Sequence, residues 1–403
     1  MRCDLIVIGA GPAGAALAKI VAEQGFKVVI VEKALFPRFT IGESLLPQSM
    51  AFLEQCGLLN FIPDDFFQIK KGALFARGEQ RAKINFADKF SPGPHETWQV
   101  TRADFDQFIL NGARASGVEV IFEASVNSVL FNEKEVRLTY TKEEKTVELE
   151  AKFIVDASGN AMILPRILKT FTQPIKSNKA VFTHFKIDRR NLEESENILI
   201  AVNSKNWRVW YWGIPLKDGS ISVGVVSDEQ NFSGDDHADL IRYIQEEPQL
   251  SIRVDLASQI RPVQSISAYQ STVSPTHSER YLLVGNAGGF IDPIFSSGVT
   301  LALKSVVLGA PLVIDILNDK KVDWSHFDQE MSHGNKTFRA YIESWYETTL
   351  QEIIFLNDKQ EDIKAKISSI LAGYVWDRQS SLVREPKRKI EQIYRLTKSS
   401  RAQ

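Results

Sequence analysis

The chain opens on an unbroken apolar run, Leu5-Ile6-Val7-Ile8, rich in β-branched residues. Such a run suits a strand buried on both faces of a parallel sheet. Small residues over 15–23 predict a helix that Gly25 ends, and Val28-Val29-Ile30-Val31 is a second buried run. Comparable runs return at Phe153-Ile154-Val155 and at Tyr281-Leu282-Leu283-Val284. Between them the pattern becomes paired strands: residues 118–131 and 136–149 flank charged turns at 132–135 and 142–145, a β-meander beside the parallel sheet. Helical spacing appears at Phe105, Phe108, Ile109 and Ala113, with Thr101 as predicted N-cap and Asp104 in the capping-box position. Residues 180–274 are strand-rich and aromatic, with a strand over 221–226 and a helix over 238–247. A long helix is predicted from Val299 to about Leu317, and from Trp324 onward the chain reads as helical, ending in a basic amphipathic segment over 384–401.

The first two runs enclose Gly9-Ala10-Gly11-Pro12-Ala13-Gly14, and the second ends on Glu32 and Lys33. This is strand, glycine-rich turn, helix, strand and acid in order. Gly9 permits the sharp turn, Gly11 leaves room for a pyrophosphate against the backbone, and Gly14 lets helix and strand pack closely. The helix start offers free N–H groups to phosphate, and Glu32 offers its carboxylate to ribose hydroxyls.

Composition adds limits. A length of 403 residues, 44% hydrophobic and 24% charged, suits a folded protein of two or three substructures. A net charge of -2 carries no electrostatic footprint for nucleic acid. Cys3 and Cys56 form no metal spacing and fit a reducing compartment, so the expected setting is cytoplasmic and the expected metal content is none. No run of eighteen apolar residues is evident, so no membrane span is expected.

Other candidates lie in loops. Arg38 and Ser44 flank the glycine of Gly42-Glu43-Ser44-Leu45-Leu46-Pro47, and serve either a cofactor or a capped helix start. The pair Lys70-Lys71 before Gly72 reads either as a solvated turn, since lysine is rarely buried, or as strand residues of which only one can face a cavity, because successive residues point to opposite sides. Arg102 in a first helical turn suits a phosphate or the edge of a cofactor, or else solvent. Asp156 and Gly159 end a sheet strand, where cofactors meet open α/β sheets. Ser296, Ser297 and Gly298 precede the long apolar helix and form either an anion site or an ordinary N-cap.

These residues carry a resemblance. The turn Gly9–Gly14, Asp156-x-x-Gly159, and Gly285-Asn286-Ala287 with Pro293 are similar to motifs of the flavoproteins typified by p-hydroxybenzoate hydroxylase, with Asn286 standing where that group has an acid. Within the group, Gly42-Glu43-Ser44-Leu45-Leu46-Pro47, Trp210-x-Trp212-x-Ile214-Pro215 and Phe290-Ile291-Asp292-Pro293-Ile294-Phe295-Ser296-Ser297-Gly298-Val299 resemble the flavin-dependent halogenases over about the first 320 residues.

The resemblance implies an α/β fold. A discontinuous Rossmann-like FAD-binding domain (1–70, 100–175, 275–320) joins an antiparallel substrate sheet (71–99, 176–274) and a helical C-terminal region (321–403). It implies FAD, reduced by a separate reductase, with a halide as co-substrate. Chloride or bromide near the amides of Ser297 and Gly298 becomes hypohalous acid, and Lys70 holds or activates it beside an electron-rich ring. Trp210, Trp212, Ile214, Pro215 and Phe295 wall off the flavin. Phe295, where tryptophan-type members carry Glu, points to a phenol or pyrrole substrate, free or on a carrier protein. The same motifs also suit a geranylgeranyl-reductase-like flavoprotein, an FAD-dependent aromatic hydroxylase, or a flavin-binding protein without catalysis.

Overall fold

The computed structural model describes residues 1–172, 178–187, 196–267, 270–356 and 361–401. The expected domain boundary at 175–176 lies outside the described residues. Five parallel strands form the first sheet, in the order Tyr281–Leu283, Phe153–Asp156, Leu5–Ile8, Val28–Val31, Glu119–Ile121. The four residues of each of the three central strands are all buried, which is why they read as continuous apolar runs.

The helix Pro12–Ala22 lies against this sheet and against Gly298–Leu317. Proline at its first position costs no hydrogen bond there, since that N–H is unpaired in any helix. The approach is close enough that a Cβ on Gly14 would collide with the Gly9 carbonyl. The helix begins three residues before its expected start, because Pro12 and Gly14 are both helical.

The segment expected as one strand over 118–131 is divided. Glu119–Ile121 joins the parallel sheet, Glu123 turns the chain at φ +56°, and Ser125–Phe131 starts the meander with Val136–Lys142 and Lys145–Ala151.

The other large sheet runs Val254–Gln259, Asn178–Ile187, Ser220–Asp228, Trp210–Pro215, Ile198–Val202, Gly72–Arg77, Gln80–Asn85, with Gln264–Ser267 paired to Asn178–Ile187. It is antiparallel except where Ile198–Val202 runs parallel to Gly72–Arg77. One face packs on the C-terminal helices. Trp345, fully buried, meets Phe75 of the sheet at 5.7 Å between ring centres and Phe295 at 5.8 Å. Truncating a ring buried so deeply costs about 3–5 kcal/mol, so the C-terminal helices are part of the core.

The helix Gly298–Leu317 corrects one expectation. At 20 residues and a mean hydropathy of 1.9 it is long and apolar enough to cross a membrane. In the fold it packs against Pro12–Ala22, Pro47–Gln55 and Ser325–Tyr346.

Candidate active site

A single cavity of about 990 Å³ extends from the glycine-rich turn to the face of the large sheet. At one end, Gly9 sits at φ +97° and its N–H bonds the Val31 carbonyl at 2.9 Å. Any side chain there would strike the Ala157 carbonyl at 2.7 Å. Gly11, Pro12 and Ala13 line the cavity, and the unpaired amides of the helix start belong to this turn. Glu32 lines it too, held by the amides of Ala10 (2.8 Å) and Ala34 (2.9 Å), with Lys33 beside it. Two bonds leave carboxylate lone pairs free for a diol. Gly14 does not line the cavity; its role is helix packing.

Arg38 and Arg102 converge on Asp106, which is fully buried. Arg102 grips it through Nε (2.8 Å) and Nη2 (3.0 Å), and Arg38 reaches it at 3.1 Å. Arg102 also donates to the carbonyls of Ile41 and Gly42 at 3.2 and 3.3 Å, which pins the loop before Glu43. Both arginines line the cavity, so Arg102 is no solvent-facing residue, yet its charge is matched within the protein. A Cβ on Gly11 would lie 3.6 Å from Arg38 Nη2, so Arg38 overhangs the turn. The expected cap at Thr101 does not form: its hydroxyl bonds the Asp104 carboxylate instead of a backbone amide.

Asp156 is a correction. It is fully buried, faces away from the cavity, and accepts the amides of Ser158 (2.8 Å) and Leu164 (2.7 Å). Burial pushes its carboxyl above the usual range. It shapes the turn that presents Gly159 and Asn160 to the cavity. Across from them, Gly285 (φ +61°) donates to the Ser305 hydroxyl at 3.0 Å, and Asn286 donates to the Asn160 amide oxygen at 3.0 Å. Gly285, Asn286 and Pro293 all line the cavity.

At the helix start, Ser296, Gly298 and Val299 line the cavity and Ser297 does not. Ser297 is the N-cap residue but makes no side-chain cap bond, and its hydroxyl is buried without a partner. The ordinary N-cap reading therefore fails, and Ser296, at φ +56°, takes the cavity position expected of Ser297.

Lys70 ends the short strand Gln68–Lys70, paired with Thr97–Gln99. It is the buried member of the lysine pair; Lys71 is exposed. Its ammonium does not enter the cavity directly. Nζ donates to the Ser44 hydroxyl (2.8 Å) and the Leu45 carbonyl (2.9 Å), and Ser44 lines the cavity. Burial lowers the Lys70 pKa to about 7.

The sheet face supplies the aromatic wall: Trp210, Trp212 and Ile214, joined by Phe182, Ile198 and Ile200, which the sequence did not single out. Alternate strand residues share a face, so Trp210, Trp212 and Ile214 line up. Pro215 and Phe295 are not in this wall. Pro215 points to the opposite side of the strand, and Phe295 packs edge-on against Trp345. Glu43 also lines the cavity and was missed, although it stands inside a motif the sequence displays.

The FAD binding domain family model matches residues 2–321. A 1H-pyrrole-2-carbonyl-[peptidyl-carrier protein] chlorinase of Pseudomonas fluorescens is 27% identical over 93% of this chain and 89% of its own length. A flavin-dependent halogenase of Armillaria mellea is 31% identical over 89% of this chain and 74% of its own length. The solved flavoprotein/dehydrogenase from Cytophaga hutchinsonii superposes with a TM-score of 0.95, at 35% identity and full coverage of both chains. The bare backbone at Gly11, the half-used Glu32 carboxylate and the length of the cavity all fit FAD. The chain thus belongs to the FAD binding domain family and, within it, to the flavin-dependent halogenases.

Proposed function

We propose that the chain halogenates a phenol or pyrrole ring, using chloride or bromide and FAD reduced by a separate, freely diffusing reductase. The observation that carries this reading is the continuity of the cavity. The dinucleotide cradle, the start of Gly298–Leu317, the Ser44–Lys70 pair and the tryptophan wall all open onto one space.

When bound, FAD supplies the reaction of oxygen with halide. The helix start and Gly11 bind the pyrophosphate, and Glu32 orients the ribose. The amides at Gly298 and Val299, at the positive end of a twenty-residue helix, hold the halide. Trp210 and Trp212 exclude water from the substrate side. Lys70 holds a proton at Nζ and presents it through Ser44. A pKa near 7 lets it give and take that proton at neutral pH.

The pyrrole chlorinase named above acts on a ring tethered to a carrier protein. We extend this to a small aromatic substrate, carried or free, in the cytoplasm. The test is reconstitution with FAD, a reductase, NADH and bromide against phenols and pyrrole-2-carboxyl derivatives, with mass spectrometry of the products. Bromination of a ring supports the reading. Hydroxylation or double-bond reduction in its place overturns it.

A further inference from the structure

The residue next to Ser44 carries a second ionisable group to the same cavity. Glu43 is 1% exposed and lines the cavity wall. Its Oε1 lies 2.9 Å from His184 Nε2, and His184, 5% exposed, stands behind it rather than in the cavity. Phe39 closes the imidazole edge-on at 5.6 Å. The other carboxylate oxygen, Glu43 Oε2, is buried with no hydrogen-bond partner. His184 Nε2 has its partner in Glu43 Oε1, whereas Glu43 Oε2, on the cavity wall, is left for a ligand or a reaction to use.

Among the described residues, Glu32 and Glu43 are the two carboxylates that line the cavity. Glu32 is bonded to two backbone amides at the dinucleotide end. Glu43 is fixed differently. The Val100 amide donates to its carbonyl at 2.7 Å, and the Leu45 amide donates to Trp98 at 3.1 Å. In this strand-like stretch consecutive side chains diverge. Ser44 turns toward Lys70, and Glu43 turns toward His184.

We propose that Glu43, positioned by His184, is the proton acceptor of aromatic halogenation; this rests on the halogenase reading above. The overall change turns a ring C–H and hypohalous acid into a ring C–X and water. The ring carbon attacks the halogen, and the X–O bond breaks with its electron pair on oxygen. That oxygen takes a proton from the Lys70 ammonium, delivered by way of Ser44, and leaves as water. The ring carbon then bears both hydrogen and halogen. Its C–H electron pair returns to the ring and the proton passes to Glu43 Oε2. Lys70 ends neutral and Glu43 ends protonated, and solvent restores both.

The test uses the FAD-loaded protein with reductase, bromide and a one-to-one mixture of ring-deuterated and unlabelled phenol and pyrrole probes. Wild type brominates both isotopologues alike, because proton loss is fast. In Glu43→Gln, ring bromination falls about 100-fold, the scale of a lost general base. Proton loss then becomes limiting, the unlabelled ring is preferred, and more hypobromous acid escapes to a monochlorodimedone trap per ring brominated. Glu43→Asp recovers part of the rate. His184→Leu shows a weaker form of the same isotope preference. The apo-protein's melting curve and FAD-induced shift check that Glu43→Gln folds. Equal bromination by Glu43→Gln, or a slower reaction without isotope preference, overturns the assignment while the halogenase reading stands. A wild type that yields neither trapped hypobromous acid nor brominated ring overturns the halogenase reading, and this assignment falls with it.

Discussion

Trp210 donates its indole N–H to the Tyr346 hydroxyl at 2.9 Å, across 136 residues of sequence. The Tyr346 hydroxyl donates to Asp292, also at 2.9 Å, and Asn178 donates to both of these partners. Asp292 in turn accepts the Ile294 amide just past Pro293. One largely buried network therefore joins the aromatic wall, the last residue of the helix Ser325–Tyr346 and the loop at Pro293 that lines the cavity. Burial raises the Asp292 pKa, so this carboxyl depends on its donors.

Tyr346→Phe removes the Trp210 acceptor and a donor to Asp292 together. The loss is expected to be about 1–3 kcal/mol of stability, read from urea unfolding, with a shift in tryptophan emission as Trp210 is released. Unchanged unfolding and emission would show that the network does not hold Trp210.

Gly11→Val and Gly14→Ala are expected to fail differently. A side chain at 11 points toward Arg38 across the phosphate position, so the protein folds but shows no FAD-induced thermal shift. At 14 a Cβ meets the Gly9 carbonyl itself, so the apo-protein melts at a lower temperature. Normal FAD uptake by Gly11→Val would remove the pyrophosphate from this turn.

Lys70 predicts a pH signature in stability. Its folded pKa, about 7, lies below the ordinary 10.5. Between these values the unfolded chain binds a proton that the folded chain does not. Stability attributable to Lys70 therefore rises with pH across that window, by up to about 1.4 kcal/mol per unit, and is flat below it. Urea unfolding of wild type against Lys70→Met at pH 6, 7.5 and 9 tests this. A constant difference would mean that Lys70 keeps its proton in the fold.

Bromide is expected to perturb the bound flavin's absorption saturably, because Gly298 and Val299, the first residues of a twenty-residue helix, line the cavity. Gly298→Pro deletes one donor at a first helical position, with some strain in Ser297, whose αR backbone a following proline disfavours. A Cβ there meets only the Phe290 ring, at an ordinary 3.6 Å. The variant should fold and need more bromide for the same change. An identical titration would move the halide elsewhere.

Much of the dinucleotide end was legible because its signals are local. Gly9, Gly11, Gly14 and Glu32 act within one βαβ unit, and their spacing carries their roles. Asp156 shows the limit: a strand-end acid reads the same whether it faces a cofactor or its own backbone, and only the amides of Ser158 and Leu164 decide. Ser297 and Ser296 were confused because one left-handed residue rotates which of them meets the cavity. His184 and Tyr346 gave no signal. Each works through a partner more than a hundred residues away, and no periodicity encodes such a meeting.

The depth of the aromatic wall is set by a side chain that does not exist. Phe182, Gly224 and Trp212 stand side by side on three adjacent strands. The Trp212 ring lies across the bare middle position, where a Cβ on Gly224 would fall within it, and reaches Phe182 at 6.0 Å. On the halogenase reading proposed above, the room left for a ring is set at positions 212 and 224. Shortening residue 212 opens a trench down to the strand backbone and admits a larger ring. Adding bulk at 224 pushes the indole outward and narrows the same space. Glycine and tryptophan act as a floor and a removable plank, and altered substrate range in relatives or designed variants should be sought first at the plank.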